Sequence, residues 1–431
     1  MSTVIHWHRR DLRLDDNAAL YEALKSDSNV QPIFIFDTNI LDKLADKKDA
    51  RVTFIHTELQ RINTELKELG SSLKVYYGDP AKLWPQIIKE IQPTAVYANR
   101  DYEPYAKKRD TAIEQLLESQ NIGFRTFKDH VIFEMDEILK DDETPYVVYT
   151  PYSRKWKQKL SSYYLKPYPN SAYFQNFEKL DPSPIISLEE MGFEKNSMPF
   201  PKKSTTLGII KNYEDQRNFP AIEGTSRLSV HFRFGTISIR DKASKGNKSS
   251  EKWLNELIWR DFYIQILHHF PHVVEGSFRP KYDAIKWSNN EEHFKAWCKG
   301  KTGYGMVDAG MRELNTTGFM HNRVRMVVSS FLTKHLLLDW RWGEAYFALK
   351  LLDFDLASNN GGWQWAAGSG VDAAPYFRIF NPYTQIEKFD KQHEYIKKWI
   401  PEWGTPAYPK EIVEHKAARE LCLATYKEAL S

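Results

Sequence analysis

Apolar residues in the first 130 positions fall in short runs separated by longer amphipathic stretches. Thr3–Trp7, Pro32–Phe36, Leu73–Tyr77, Ala95–Asn99 and Phe124–Phe127 have the length and content of buried strands. Between the second and third runs, Val52, Ile55, Leu59, Ile62, Leu66 and Leu69 recur at helical spacing, and Gly70 stands where a helix would stop. This alternation predicts a doubly wound parallel sheet. It carries neither a Gly-x-Gly-x-x-Gly fingerprint nor a phosphate loop, so binding of a dinucleotide in the usual manner is not expected there.

From about Val131 to Lys203 the periodicity weakens. Asp181-Pro-Ser-Pro and Met198-Pro-Phe-Pro-Lys read as a long surface connector. From about Leu207 onward helical patterns dominate. The expected architecture is therefore α/β at 1–130, a connector at 131–206 and an all-helical domain at 207–431. The length of 431 residues suits two or three domains. Tryptophan is unevenly spread in the same sense: only Trp7, Trp84 and Trp156 precede Trp253, out of 13 in the chain.

The formal charge of +3 neither demands nor excludes nucleic acid, and a DNA binder would have to gather its positive charge locally. Cys298 and Cys422 are too few for a disulfide framework, and no Cys/His cluster has zinc spacing, so no metal site is expected. No apolar run approaches the length of a signal peptide core or a membrane span. A cytoplasmic, membrane-independent protein is expected.

Four segments carry candidate chemistry. Asn359-Asn360-Gly361-Gly362-Trp363-Gln364-Trp365 combines amides, glycines and two stiff π-surfaces, with Asp353 and Asp355 just upstream. It can line a pocket for a flat cofactor or form a tryptophan-rich core around a glycine turn, and the run alone does not separate the two. Thr225-Ser226-Arg227-Leu228-Ser229 can hold a phosphate or simply cap a helix. In the helical stretch Trp253–Tyr263, Glu256, Trp259 and Arg260 fall within one turn, which suits either a surface ion pair or a carboxyl hydrogen-bonding a flat ligand beside an indole. In Met320–Met326, Asn322 and Met326 share a helix face, and Arg325 could pair with a buried aspartate such as Asp353. Trp287, Trp340 and Trp363 taken singly are core residues by default.

Together these segments resemble the photolyase/cryptochrome family. Its opening motif is similar to Trp7-His8-Arg9-Arg10-Asp11-Leu12-Arg13-Leu14-Asp15-Asp16-Asn17, although His8 stands where phenylalanine is usual. Glu223–Ser229, Asn255–Arg260, Met320–Arg323 and Asp353–Trp365 match the motifs of its flavin domain, and the resemblance covers essentially the whole chain. Within the family it looks closest to class I photolyases, which split cyclobutane pyrimidine dimers.

The resemblance implies a reduced, anionic FAD held by Tyr213, Thr225, Ser226, Leu228 and Ser229 at its phosphates, with Asn322, Arg325, Asp353 and Asp355 around the flavin and ribose and Asn359 facing the flavin N5. Light-driven electron transfer from that flavin would split a dimer flipped out of damaged DNA, single- or double-stranded. Trp259 and Trp365 would wall the lesion, Met326 fill space beside it and Glu256 hydrogen-bond it, and Asn322 is the residue that dimer-splitting members show in that pocket. Arg217, Arg323 and Arg378 would grip the DNA backbone, and Trp363, Trp340 and Trp287 would relay electrons from the surface to the flavin. Ala106 replaces the glutamate of folate-binding members. Arg51, Asp101 and Glu103 instead resemble members that bind a deazaflavin or a second flavin, so a second chromophore of that type is allowed and folate is not expected. A monomer is expected. The alternative is a cryptochrome-like blue-light photoreceptor, which would keep the flavin site and the tryptophans without needing the lesion pocket.

Overall fold

The computed structural model describes residues 2–431. Five strands, β1 (Thr3–His8), β2 (Asn29–Asp37), β3 (Lys74–Gly78), β4 (Ala95–Asn99) and β5 (Gly123–Phe127), form one sheet in the order β3-β2-β1-β4-β5, all parallel. Parallel crossovers place helices on both faces, which is why β4 is buried along its whole length and reads as a continuous apolar run. The order reverses between β1 and β4, the crevice position of doubly wound sheets. Helix Ala50–Glu68 starts where Asp49 accepts from the Arg51 N–H at 2.8 Å and stops before Gly70, whose φ of +74° suits glycine. The expected strands differ from the observed ones by at most a few residues at their ends.

By contact the chain makes two compact units. The α/β unit takes the residues up to Glu134 together with 159–204 and 227–247, and the helical unit takes 135–158, 205–226 and 248–431. The weakly periodic middle of the chain is thus shared out: 159–204 packs with the sheet, and 135–158 packs with the helices.

The α/β unit has an apolar core around Ile5, Trp7, Ile33, Trp84 and Val96 and a buried polar knot beside it. The knot explains the opening motif. Asn17 caps helix Ala18–Leu24 by accepting from the Leu20 N–H, while its Nδ2 donates to Asp11 at 3.0 Å. Arg13 donates to both carboxylate oxygens of Asp129 (2.8 and 2.7 Å), and Arg240 donates to the same group at 2.8 Å. Burial pushes the Asp129 carboxyl up, but the Arg13 and Arg240 guanidiniums outweigh it and hold the group below the ordinary carboxylate range.

In the helical unit, one large core gathers Trp297, Met311, Val324, Phe331, Trp340, Phe347 and Trp363. Helix Leu356–Ala367 packs against both Trp340–Lys350 and Glu251–His269. Among the described residues no helix is long and apolar enough to cross a membrane.

The Asp129 knot generates a prediction. A carboxyl held low in the fold stabilises it fully above the unfolded pKa of about 3.9 and loses that stabilisation as pH falls through the folded pKa. Asp129→Asn leaves the buried Arg13 guanidinium without its carboxylate and Arg240 with Asp16 alone, and should cost about 3–5 kcal/mol at neutral pH, while flattening the acid limb of the stability curve. Urea unfolding of the full chain at several pH values measures both; a loss under about 1 kcal/mol would show that the knot is dispensable.

Candidate active site

The Asn-Asn-Gly-Gly-Trp-Gln-Trp run lies inside helix Leu356–Ala367, so no glycine turn forms there. Asp355 caps the helix by accepting from the Ser358 N–H at 3.1 Å, and Gly368, at a φ of +90°, ends it. Gly361 faces the ring of Tyr263, and the ring of Trp363 lies on Gly343 of the neighbouring helix. A Cβ at either glycine would overlap that ring. Gly362 meets no neighbour, and nothing in its packing explains it.

The amides of this helix divide into two jobs. Asn360 Nδ2 and Gln364 Nε2 both donate to the Val273 carbonyl at 2.9 Å, and Gln364 Oε1 accepts from the Phe278 N–H at 2.8 Å. Asn360 and Gln364 therefore tie the helix to the segment after Glu251–His269. Asn359 Nδ2 donates to Glu344 Oε1 at 2.8 Å and to the Glu344 carbonyl at 3.1 Å. Both partners are acceptors, which orients the amide and leaves Oδ1 as the end able to accept from a ligand. Burial pushes the Glu344 carboxyl up, and the Asn359 amide pulls against it. The sequence reading missed Glu344; fifteen residues from Asn359, it has no local signal.

Helix Glu251–His269, opened by Ser250 accepting from the Trp253 N–H, carries Glu256 and Trp259. Glu256 pairs with Arg217, whose guanidinium also lies 5.3 Å from the centre of the buried Tyr213 ring. Burial pushes the Glu256 carboxyl up, and Arg217 pulls it back only in part. Trp259 has one face stacked on Tyr149, with ring centres 3.6 Å apart and planes within 3°. Tyr149 donates its hydroxyl to the Asn255 carbonyl at 3.0 Å. Nothing in the weakly periodic stretch around Tyr149 marked it as part of the site.

Arg217, Arg323 and Arg378 come together. Arg323 donates to Asn218 Oδ1 at 2.8 Å and lies 4.4 Å from the Phe389 ring centre. Burial pushes its guanidinium down, and the charges of Arg217 and Arg378 push the same way, so both act electrostatically on Arg323. Arg378 is exposed beside Phe377, itself 62% exposed. This is the local gathering of positive charge that a net charge of +3 hides.

His321 caps helix Asn322–Ser330 by accepting from the Arg323 N–H at 3.2 Å. Asn322 is exposed at the first turn and Met326 half-buried one turn on. Arg325 donates to both oxygens of Asp353 (3.2 and 3.0 Å) and to the Met320 carbonyl at 2.7 Å, the pairing expected from the sequence. Trp365 is half-buried. Thr225 and Ser226, half-buried, belong to the helical unit. Leu228 and Ser229 belong to the α/β unit, where Ser229 opens the short helix Ser229–Phe234.

Trp363 and Trp340 are each 2% exposed in the same core, and Trp287 packs against it. The Trp363 ring contacts Phe347 at 5.0 Å and Trp297 at 6.1 Å, while Trp287 contacts Tyr426 at 6.1 Å. In the α/β unit Arg51 is held by Asp49 (2.5 Å), and Asp101 and Glu103 both accept from Arg10 (3.1 and 3.0 Å). Ala106 is buried.

The helical unit fits a flavin nucleotide by the chemistry of its donors and acceptors: hydroxyls at Thr225 and Ser226, the Arg325–Asp353 pair, and an oriented amide oxygen at Asn359. Residues 253–428 match the model of the FAD binding domain of DNA photolyase, and 4–172 match the model named DNA photolyase. A deoxyribodipyrimidine photo-lyase from Synechococcus is 37% identical over 99% of this chain and 96% of its own length. A class III photolyase structure from Agrobacterium tumefaciens superposes with a TM-score of 0.88 at 32% identity, covering 100% of this chain and 98% of that one. An archaeal photolyase from Sulfolobus tokodaii, solved with two FAD molecules, superposes at 0.85 with 34% identity, covering 99% of this chain and 100% of that one. By both family models and by full-length identity to its relatives, this chain belongs to the photolyase/cryptochrome family.

Proposed function

We propose that this chain is a light-driven DNA repair enzyme, a deoxyribodipyrimidine photo-lyase that splits cyclobutane pyrimidine dimers. The observation that carries the reading is the grouping of Glu256, Trp259 and the three arginines in one unit. A blue-light photoreceptor would have use for Asn359 and Trp363 but not for that group.

Reduced FAD, when bound, supplies an electron on illumination. The chain's residues do the rest. Arg217, Arg323 and Arg378 offer cations to the DNA backbone, and the repulsion among them is relieved when phosphates arrive. A dimer inside a duplex is out of reach, so it must be flipped out of the stack. Trp259 and Trp365 offer it flat walls, and Met326 fills irregular space. Trp259 is stiffened from behind by Tyr149, so its orientation is set before the lesion arrives. Glu256, held beside Trp259 by Arg217, offers its carboxyl to a hydrogen bond with the pyrimidine edge as negative charge grows there. Asn322 offers a second polar contact. Tyr213, Thr225 and Ser226 would hold the cofactor phosphates, and Arg325, Asp353 and Asp355 its ribose and flavin. Asn359 Oδ1 would accept from the flavin N5, with Glu344 fixing the amide. Trp363, Trp340 and Trp287 would pass electrons inward.

The proposal also covers a cytoplasmic monomer organised functionally as 1–130, 131–206 and 207–431. A second chromophore of flavin or deazaflavin type would have to compete with Arg10 for Asp101 and Glu103, while the two FAD molecules of the archaeal relative are a precedent for such a ligand.

Glu256→Ala should bind FAD normally and repair dimers several-fold less efficiently per absorbed photon, because a hydrogen bond to the growing charge is lost; an unchanged quantum yield would remove Glu256 from the chemistry. Trp259→Ala should weaken binding to dimer-containing DNA by about 1–3 kcal/mol with little effect on undamaged DNA. Titration by fluorescence anisotropy separates the two, and equal losses would contradict stacking. Trp363→Phe should abolish light-driven reduction of oxidised flavin while repair from chemically reduced flavin survives. Photoreduction at the wild-type rate would show that the relay begins elsewhere.

A further inference from the structure

Two imidazoles and a carboxylate gather on one face of the central strand, in a place the repair reading does not use. His6 and His8 are two apart on β1, so their side chains share a face, and both are fully buried. The chain turns after His8 and brings Asp11, also buried, back against them. His6 Nε2 lies 3.5 Å from Asp11 Oδ2, and His8 Nδ1 lies 3.6 Å from Asp11 Oδ1. One ligand atom from each of the three residues lies within 4.8 Å of the others, and the rings meet edge-on at 4.3 Å.

These separations are too long for hydrogen bonds. His6 Nδ1, His6 Nε2 and His8 Nε2 have no partner among the described residues, and His8 Nδ1 has only the Asp11 carbonyl at 3.3 Å. Unpartnered polar atoms in a dry interior are unfavourable, and two apolar residues would complete this strand without that penalty. The two histidine–carboxylate distances, one to each Asp11 oxygen, fit a different arrangement. Ligand atoms about 2.0–2.2 Å from a tetrahedral zinc stand about 3.3–3.6 Å apart, and two imidazoles with a carboxylate form a donor set that zinc accepts.

Asp11 is also prepared as a ligand. Its Oδ1 accepts from the Arg9 N–H at 2.7 Å, and its Oδ2 accepts from Asn99 Nδ2 at 2.6 Å and Asn17 Nδ2 at 3.0 Å. These donors fix the carboxylate's orientation, as outer partners of metal ligands do, and leave it capacity for one more contact. His8 stands where phenylalanine is usual in the family's opening motif, so the set is a feature of this chain. The spacing His-x-His-x-x-Asp escaped the sequence reading because a strand followed by a turn, not a helix or a finger loop, brings the three together.

We infer that His6, His8 and Asp11 form a buried site for one divalent transition-metal ion, zinc in the first instance. A bound ion would pin β1 to the turn that carries Asn17 and would partner the open His6 Nε2. The site is structural, since every ligand is buried.

The test uses the full-length, FAD-loaded protein, with zinc(II) alone as the probe. After zinc loading and passage over chelating resin, metal content should be one equivalent per chain in the wild type. It should fall to near zero in His8→Phe and in His6→Val, with flavin absorbance unchanged. Asp136, His268 and His269 form an exposed group of similar composition, so His268→Ala serves as the control for surface binding and should keep the full equivalent. X-ray absorption at the zinc edge of the loaded wild type reads the ligands without any variant, and two imidazoles with oxygen are expected. The inference is overturned if the wild type retains no zinc, if both strand variants retain as much as the wild type, if His268→Ala empties the protein, or if the edge spectrum shows no imidazole.

Discussion

Everything in the helical unit that is assigned to chemistry depends on how closely one helix can approach its neighbours. Leu356–Ala367 meets its neighbours through two missing side chains: its Gly361 accepts the Tyr263 ring, and Gly343 of the preceding helix accepts its own Trp363 ring. Interiors pack near crystal density, so a single added methyl at either contact must move a ring or a helix. That fixed approach sets where Asn359 meets Glu344, where Trp363 enters the core, and where Trp365 reaches a partly open surface. Asn360 and Gln364 complete the clamp with hydrogen bonds to the Val273 carbonyl. Two conspicuous amides of the motif are thus structural, and one is free to meet a ligand.

The second constraint is electrostatic. The helical unit keeps carboxyls whose burial raises their pKa, Glu256 and Glu344, and sets the charges of Arg217 and Arg378 against the guanidinium of Arg323. Ligands of the right chemistry relieve both: a hydrogen-bonding partner for the carboxyls, phosphates for the arginines. In the α/β unit the buried charges do the opposite. Asp129 is fully engaged by Arg13 and Arg240. One unit leaves its electrostatics unfinished at a site, and the other closes them into a structural knot.

The fold was largely legible from the sequence. Short apolar runs located all five strands and a period of 3.6 the helix Ala50–Glu68, because the central strands of a parallel sheet, covered on both faces, are continuous apolar runs. The Arg325–Asp353 pair was also readable, since a buried aspartate needs a partner. Contacts made at long sequence separation by residues with no local pattern were not. Tyr149 sits in a stretch with weak periodicity, yet it stacks on Trp259. Arg217, expected on the DNA backbone, is placed by the structure against Glu256, 39 residues away. A glycine turn is one of the two readings the run leaves open, because glycine usually breaks helices, whereas here Gly361 is required by a ring pressed on the helix.

The central claim is that this chain converts light into cleavage of a pyrimidine dimer. The most direct measurement is chromatographic counting of intact dimers in an oligonucleotide carrying a single thymine dimer, incubated with the reduced, FAD-loaded protein in the dark and under near-ultraviolet to blue light. The account predicts multiple turnovers to undamaged strand in the light and none in the dark. Persistence of the dimer under illumination, with reduced FAD and the oligonucleotide both shown to be bound, would contradict it.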